Sequence, residues 1–201
     1  MKRQIAGVLC AAMLTGIFSG CGKQETSVKN FTAPESGEDI VCIQVENYGE
    51  IKIKLFSDLM PKACENFTGL AESGYYNELT FHRVIPNFMI QGGDPAGDGT
   101  GGSGATIKGE FSDNGVENSI PHVRGTISMA RASDPDSASS QFFIMQETTP
   151  SLDGQYAAFG TVTSGMEVVD AICEKVVAAD EQSGLVAPED QPVITTVEVL
   201  D

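Results

Sequence analysis

Positive charge is scarce in this 201-residue chain, in which 12 Lys and Arg stand against 28 Asp and Glu for a net charge of −16. Such an acidic protein repels nucleic-acid phosphates and anionic lipid headgroups, which argues against nucleic-acid binding. Tryptophan is absent, aromatic residues make up only 7%, and 22 Gly with 9 Pro indicate many turns between short elements. The composition therefore disfavours helical bundles and solenoids, while 41% hydrophobic residues suffice for one core.

Several motifs of cofactor and metal sites are also missing. The chain has no CxxC pair, no GxxxxGK[ST] loop and no GxSxG turn, and its two histidines, His82 and His122, lie 40 residues apart. Residues 97–102 fit GxGxxG, but no βαβ pattern follows. We therefore expect no metal and no cofactor.

The N-terminus has the pattern of a secretory signal. Lys2 and Arg3 precede an uncharged, mostly apolar run over residues 5–18, which is short for a transmembrane span. The run ends in Phe-Ser-Gly-Cys at residues 18–21, which resembles a bacterial lipobox with Cys21 as the lipidated residue. We interpret residues 1–20 as a lipoprotein signal peptide and 21–38 as a polar, flexible tether. The expected location is extracytoplasmic, with lipid at Cys21 as the only membrane contact; the alternative is an ordinary signal peptide with a chance cysteine.

The other cysteines do not suggest a disulfide framework. Cys10 belongs to the signal, and Cys42, Cys64 and Cys173 each lie within an apolar pattern. We interpret these three as small buried hydrophobic residues, with one disulfide left open.

The remaining residues, 39–201, predict one mainly β domain. Alternating and β-rich runs predict eight strands, over residues 40–46, 50–56, 80–85, 88–91, 125–130, 141–145, 157–162 and 193–200. Helical spacing predicts two helices, over 61–73 with Pro at its start and Gly74 at its end, and over 166–173. Eight short antiparallel strands predict a closed β-barrel, with the two α-helices covering its open ends. The acidic stretch 180–190 is interpreted as a solvated loop.

A specific resemblance lies in the middle of the chain. Residues 81–94, FHRVIPNFMIQGGD, resemble the signature of the cyclophilin peptidyl-prolyl isomerases. Further blocks follow in the family's order: GTGG at 99–102, GTISMA at 125–130, SQFFI at 140–144, LDG at 152–154 and FG at 159–160. The resemblance implies an eight-stranded barrel with two helices and a cofactor-free isomerase acting on proline-containing polypeptides.

The chemistry of that reaction asks for a fixed donor. Rotation about an X-Pro bond meets a barrier of about 18–20 kcal/mol, and it transfers no proton and breaks no bond. As the amide twists, the proline nitrogen regains basicity, so a donor aimed at it gains strength mainly in the transition state. Arg83 in the signature is the candidate catalytic residue; a structural arginine is the alternative.

The resemblance also implies a substrate groove. Phe88, Met89, Phe143 and Leu152 match the pocket for the proline ring, although each alone is more typical of a plain core. The other positions that match the groove are Gln91, Ala130, Arg131, Gln141, Tyr156 and His82, and His82 is equally well explained by packing.

Three positions depart from the family's common pattern. Ser151 stands where eukaryotic members commonly have Trp, which predicts weak binding of cyclosporin-like macrocycles. Tyr156 stands for a His at the pocket floor, as in many bacterial members. Arg131 stands for Asn at the groove rim, where the segment to Ser140 is one residue longer.

Together these features predict a monomeric, lipid-anchored isomerase that accelerates the folding of exported proteins. The alternative is a proline-peptide-binding chaperone or docking module with incidental turnover. A solute-binding lipoprotein is disfavoured because one domain of about 160 residues lacks the two lobes usual for that class.

Overall fold

The computed structural model describes residues 40–200, so the predicted signal peptide, lipidation site and tether lie outside the described residues. Ten strands form a single antiparallel sheet, accompanied by two α-helices and three short 3₁₀ turns. The strands are β1 (Ile40–Val45), β2 (Gly49–Leu55), β3 (Arg83–Ile85), β4 (Met89–Gly92), β5 (Thr126–Met129), β6 (Phe142–Met145), β7 (Ala158–Ser164), β8 (Ala178–Asp180), β9 (Leu185–Val186) and β10 (Ile194–Leu200). The helices are α1 (Pro61–Glu72) and α2 (Met166–Lys175).

All eight predicted strands and both helices are present. Alternation is clearest in β2, where Ile51, Ile53 and Leu55 are buried and the intervening Lys52 and Lys54 are partly exposed. A strand with this period buries one face and leaves the other to solvent.

The prediction of a closed eight-stranded barrel is wrong. The sheet has ten strands in the order β10-β1-β2-β7-β5-β6-β4-β3-β9-β8, and its two terminal strands are not paired with each other. The cause is the β8–β9 hairpin, because β9 takes the free edge of β3 at Arg83. Residues 78–81, before β3, contact residues 192–194 at the start of β10 through the isolated Thr80–Val193 bridge and nearby backbone hydrogen bonds.

Helix α1 begins at Pro61, as predicted, but the hydrogen-bond acceptor for its first free N–H groups comes from a distant part of the sequence. The buried Glu110 carboxylate accepts hydrogen bonds from the backbone N–H groups of Lys62 and Ala63, at 3.1 and 2.8 Å. These donors have no partner within the helix, so a carboxylate there both satisfies them and complements the helix dipole. Gly74 ends the helix with a φ of 73°, a conformation that glycine adopts without strain.

The apolar interior is divided into two clusters by the alternation of β4 and β6. Ile90, Phe142 and Ile144 face the main core, which also holds the buried faces of both helices. The intervening Met89, Phe143 and Met145 face the opposite side and form a smaller cluster with partly buried neighbours. This second cluster positions the candidate site.

Two further features concern the described part of the chain. Cys42, Cys64 and Cys173 are free and buried, in agreement with their interpretation as small hydrophobic residues. Within residues 40–200, no helix is both long and apolar enough to cross a membrane.

Candidate active site

One row of side chains runs across five neighbouring strands. The register pairs Leu185 of β9 with Arg83 of β3, Arg83 with Gln91 of β4, Gln91 with Phe143 of β6, and Phe143 with Ser128 of β5. Residues paired across an antiparallel sheet project from the same face. The sheet therefore brings a cation, an amide and an aromatic ring together from three strands and two separate stretches of sequence, 81–94 and 140–144.

A cavity of about 410 Å³ opens over this row. Ten of the eleven predicted site residues line it, namely His82, Arg83, Phe88, Met89, Gln91, Ala130, Arg131, Phe143, Leu152 and Tyr156. The eleventh, Gln141, lines a neighbouring cavity of about 240 Å³, whose wall shares Gln91, Ala130 and Arg131 with the first. The predicted residues thus surround one continuous region, while their individual roles remain predictions.

The apolar side of the cavity is built on the smaller hydrophobic cluster. Met89 and Phe143 are 1% and 5% exposed and form its base, and Phe88, Leu152 and Tyr156 pack around them. The ring of Tyr156 meets that of Phe143 edge-on, with centroids 5.8 Å apart. Such a hollow suits a small saturated ring, which loses contact with water and gains contact with aromatic faces.

Arg83 lies on the polar side and is held at two nitrogens. Its Nε donates to the Ser183 carbonyl at 2.6 Å, and its Nη1 donates to Gln91 Oε1 at 3.0 Å. Among residues 40–200, Nη2 has no hydrogen-bond partner. Burial lowers the pKa of Arg83, an effect that Tyr156 opposes, yet a guanidinium stays protonated in proteins. The side chain is therefore an oriented cation with donor capacity left over.

The orientation of Gln91 is fixed in turn by a chain of amides. Gln91 Nε2 donates to Gln141 Oε1 at 2.8 Å, and Gln141 Nε2 donates to the carbonyls of Gly99 and Gly101 at 3.1 and 2.8 Å. Since the loop carbonyls only accept, they determine which end of each amide points towards Arg83. Gln141 therefore acts at a distance from the main cavity.

Arg131 forms the wall between the two cavities. Its guanidinium lies over the rings of Phe111 and Tyr156, 5.0 and 4.8 Å from their centroids. Three of its N–H groups donate to the carbonyls of Gln155 and Ala132. These contacts hold the longer rim segment in place despite the departure from Asn.

His82 lies fully buried at the cavity wall. Neither ring nitrogen has a hydrogen-bond partner among residues 40–200. Burial lowers the pKa of His82, which the nearby Asp94 carboxylate only partly offsets, so the ring is neutral at neutral pH.

His122 supports the cavity from below. Its Nδ1 is 3.0 Å from Asp153 Oδ1, its Nε2 is 3.1 Å from Ser128 Oγ, and its ring stacks on Phe143 at 6.0 Å. These are the residue types of a hydrolytic triad, but Ser128 is fully buried and neither it nor His122 lines the cavity. The arrangement can brace the Phe143 wall and cannot offer a nucleophile to a substrate.

Four further residues line the cavity without having been predicted. They are Asp98, Gly99, Ser183 and Leu185. Asp98 and Gly99 lie four and five residues after the end of the FHRVIPNFMIQGGD block, which was a usable signal. Ser183 and Leu185 belong to the acidic stretch interpreted as a solvated loop, where the β8–β9 hairpin in fact lies against β3.

Comparison with known proteins shows the family to which the chain belongs. The family described as "Cyclophilin type peptidyl-prolyl cis-trans isomerase/CLD" matches residues 40–199. Peptidyl-prolyl cis-trans isomerase-like 1 of Aspergillus fumigatus is 47% identical over 122 residues, which cover 60% of this chain and 74% of the relative. Peptidyl-prolyl cis-trans isomerase CYP18-1 of Arabidopsis thaliana is 45% identical over 148 residues, 73% of this chain and 85% of the relative.

Two further similarities define the extent of the match. Peptidyl-prolyl cis-trans isomerase-like 2 of Rhizopus delemar is 46% identical over 129 residues, and the match spans only 24% of that protein. A cyclophilin type isomerase of Cryptosporidium parvum, solved in the presence of the dipeptide Ala-Pro, superposes with a TM-score of 0.70 at 36% identity. That superposition covers 81% of this chain and 99% of the other.

Proposed function

Because this chain belongs to the cyclophilin-type peptidyl-prolyl cis-trans isomerase family, we propose that it accelerates the folding of exported proteins by stabilising twisted X-Pro amides. The observation that carries the proposal is an oriented guanidinium, Arg83, beside an apolar hollow based on Met89 and Phe143. Its substrates are proline-containing polypeptides in unfolded or partly folded states. The reaction draws on side chains of this chain alone.

The pocket holds one end of the reacting bond. The proline ring sits against Phe143 and Met89 and is kept still, while the preceding carbonyl swings through the twisted geometry. Phe88, Leu152 and Tyr156 close the sides, and burial of the ring supplies binding energy that is equal in the planar and twisted states. This part of the site therefore lowers KM more than it raises kcat.

Arg83 acts on the twisted state selectively. In the planar amide the nitrogen lone pair is delocalised and accepts hydrogen bonds poorly. When the bond twists, the lone pair becomes available and the free donor of Arg83 binds it more tightly. Ser183 and Gln91 hold the guanidinium beforehand, so little reorganisation is needed at the moment of reaction.

A proline-peptide exchange assay tests the proposal. We expect the wild-type chain to accelerate cis-trans exchange, and Arg83→Ala to lower kcat/KM by about 10²- to 10³-fold, the cost of removing one preorganised donor. Arg124→Ala is the matched control, because Arg124 pairs with Asp170 on the surface at 2.6 Å and lies outside the cavity. We expect it to leave the rate unchanged.

The contrary outcomes are distinct. A wild-type chain without acceleration, or Arg83→Ala at full rate, would refute the assignment. If Arg83→Ala lost isomerisation but still suppressed aggregation of a proline-rich client, the binding activity would stand apart from turnover.

We propose that the domain lies outside the cytoplasm and is lipid-anchored to the bacterial cell membrane at Cys21. The support is sequence alone: residues 1–21 carry a signal-like run and a lipobox-like end, and the relatives described above, all eukaryotic, do not bear on it. Expression in a bacterium with labelled palmitate should label the wild-type chain and leave Cys21→Ala unlabelled. Equal labelling of both chains, or of neither, would contradict the anchor.

A further inference from the structure

The β8–β9 turn, residues 180–184, lies directly beside the guanidinium of Arg83. It joins two short strands at the end of the sheet, and its Ser183 carbonyl accepts the 2.6 Å hydrogen bond from Arg83 Nε. A backbone carbonyl is only as well placed as the loop that carries it. The turn's own construction therefore bears on the direction of Arg83.

The side-chain carboxylate of Asp180 holds the turn together through hydrogen bonds. Asp180 accepts hydrogen bonds from the Gln182 backbone N–H at 3.0 Å and from the Ser183 hydroxyl at 2.7 Å. The Asp180 carbonyl also accepts from the Gly184 N–H at 2.8 Å, which closes the turn. The Ser183 hydrogen bond lowers the pKa of Asp180, so the carboxylate is charged at neutral pH.

Gly184 seats the turn on β3. Its φ is 77°, and a Cβ atom there would lie 2.3 Å from Ile85 Cγ1, inside contact distance. Its carbonyl accepts a hydrogen bond from the Val84 N–H at 2.9 Å. Only glycine allows this close approach without displacing the turn.

A guanidinium is fixed in its plane when two of its nitrogens donate to two separate acceptors. One is Ser183 O, from the turn, and the other is Gln91 Oε1, from β4. We propose that the β8–β9 turn is a positioning element for Arg83, in which Asp180 and Ser183 are positioning residues that aim the guanidinium at the twisted amide. This inference rests on the proposed isomerase function.

Variants of the turn should lower kcat and leave KM unchanged. Asp180→Ala removes both side-chain links, and Ser183→Ala removes one and keeps the carbonyl. A misplacement of about 1 Å can cost 10²-fold, so a loosened turn should cost about 3- to 10-fold in kcat. Glu181→Ala is the control: it removes an exposed charge from the same turn without breaking a hydrogen bond described for residues 40–200.

A double-mutant cycle shows whether the turn acts by positioning Arg83 or only by lining the cavity. In an Arg83→Ala background, Asp180→Ala should have no further effect on the residual rate, because the residue through which it acts is gone. The Nε–H proton of Arg83 gives a direct readout in the wild-type chain. Its NMR resonance should be protected from exchange and shifted downfield, and it should lose both properties in Asp180→Ala and in Gly184→Ala.

The outcomes distinguish this inference from the proposed function. A wild-type chain without isomerase activity would refute the proposed function. An active wild type in which Arg83→Ala is impaired while Asp180→Ala keeps its kcat and its Nε–H protection would overturn the inference alone. A rise in KM with kcat unchanged would also overturn it, because the turn would then serve only as a wall of the cavity, which Ser183 lines.

Discussion

Acid should destabilise this protein at a pH set by its two histidines. The chain contains only His82 and His122, and they are 0% and 1% exposed. Burial lowers the pKa of both in the folded state. His122 lies 3.0 Å from the Asp153 carboxylate, a distance at which an ion pair could form, but burial outweighs that attraction.

The sign follows from proton uptake. Below the ordinary histidine pKa of about 6.5 the unfolded chain binds protons that the folded chain does not, so acid favours unfolding. The histidine contribution is fully present above about pH 6.5 and is lost as pH falls towards the lowered pKa values. Each proton contributes about 1.4 kcal/mol per pH unit, so two histidines give a slope approaching about 2.8 kcal/mol per pH unit.

Urea unfolding at several values between about pH 7.5 and pH 5 measures this slope, with enough salt to screen the surface charge. Carboxylates whose pKa is lowered, such as Asp136 and Asp170, titrate below this window. His82→Gln and His122→Gln should each remove about half of the slope, whatever they do to the stability at neutral pH. If the double variant kept the wild-type slope, the reasoning would be refuted.

Two predictions concern the core and the groove. Phe67→Ala should lower the free energy of unfolding by about 3–5 kcal/mol, because the ring is fully buried and its centroid lies 5.0 to 5.5 Å from those of Tyr76, Phe142 and Phe159. Urea unfolding measures this loss, and a value below about 1 kcal/mol would contradict the packing. The wild-type chain should bind cyclosporin weakly, because Ser151, beside the cavity residue Leu152, is exposed and offers little apolar surface. Ser151→Trp should bind it more tightly, since the larger side chain adds apolar surface that the ligand can bury. Calorimetric titration measures both affinities, and nanomolar binding by the wild type would contradict the prediction.

Most of the sheet could be predicted because its strands carry a clear period. Alternation in β2 and the continuous apolar run of β6 are strong local signals. Strands β8 and β9 were missed because they are only three and two residues long, and because β8 ends at the start of the acidic stretch 180–190 and β9 lies within it. One signal was present, since Asp180 followed by Ser183-Gly184 is typical of a tight turn.

Closure of the sheet could not be predicted from strand number. Whether eight strands close depends on which edges are already occupied, and β9 occupies the edge of β3 at Arg83. The residues around the cavity could be identified because they occupy positions that match the cyclophilin motifs. The support from His122 below Phe143 and from Ser183 beside Arg83 depends on contacts between distant segments, which no single stretch of sequence reveals.

The division of β4 and β6 into two faces has a consequence for substitutions at the cavity. Met89, Phe143 and Met145 alternate with Ile90, Phe142 and Ile144, so each strand gives alternate side chains to the small cluster beneath the cavity and to the main core. A substitution at Met89 or Phe143 would therefore reshape the base of the cavity, at a cost to the small cluster, without removing a contact from the main core.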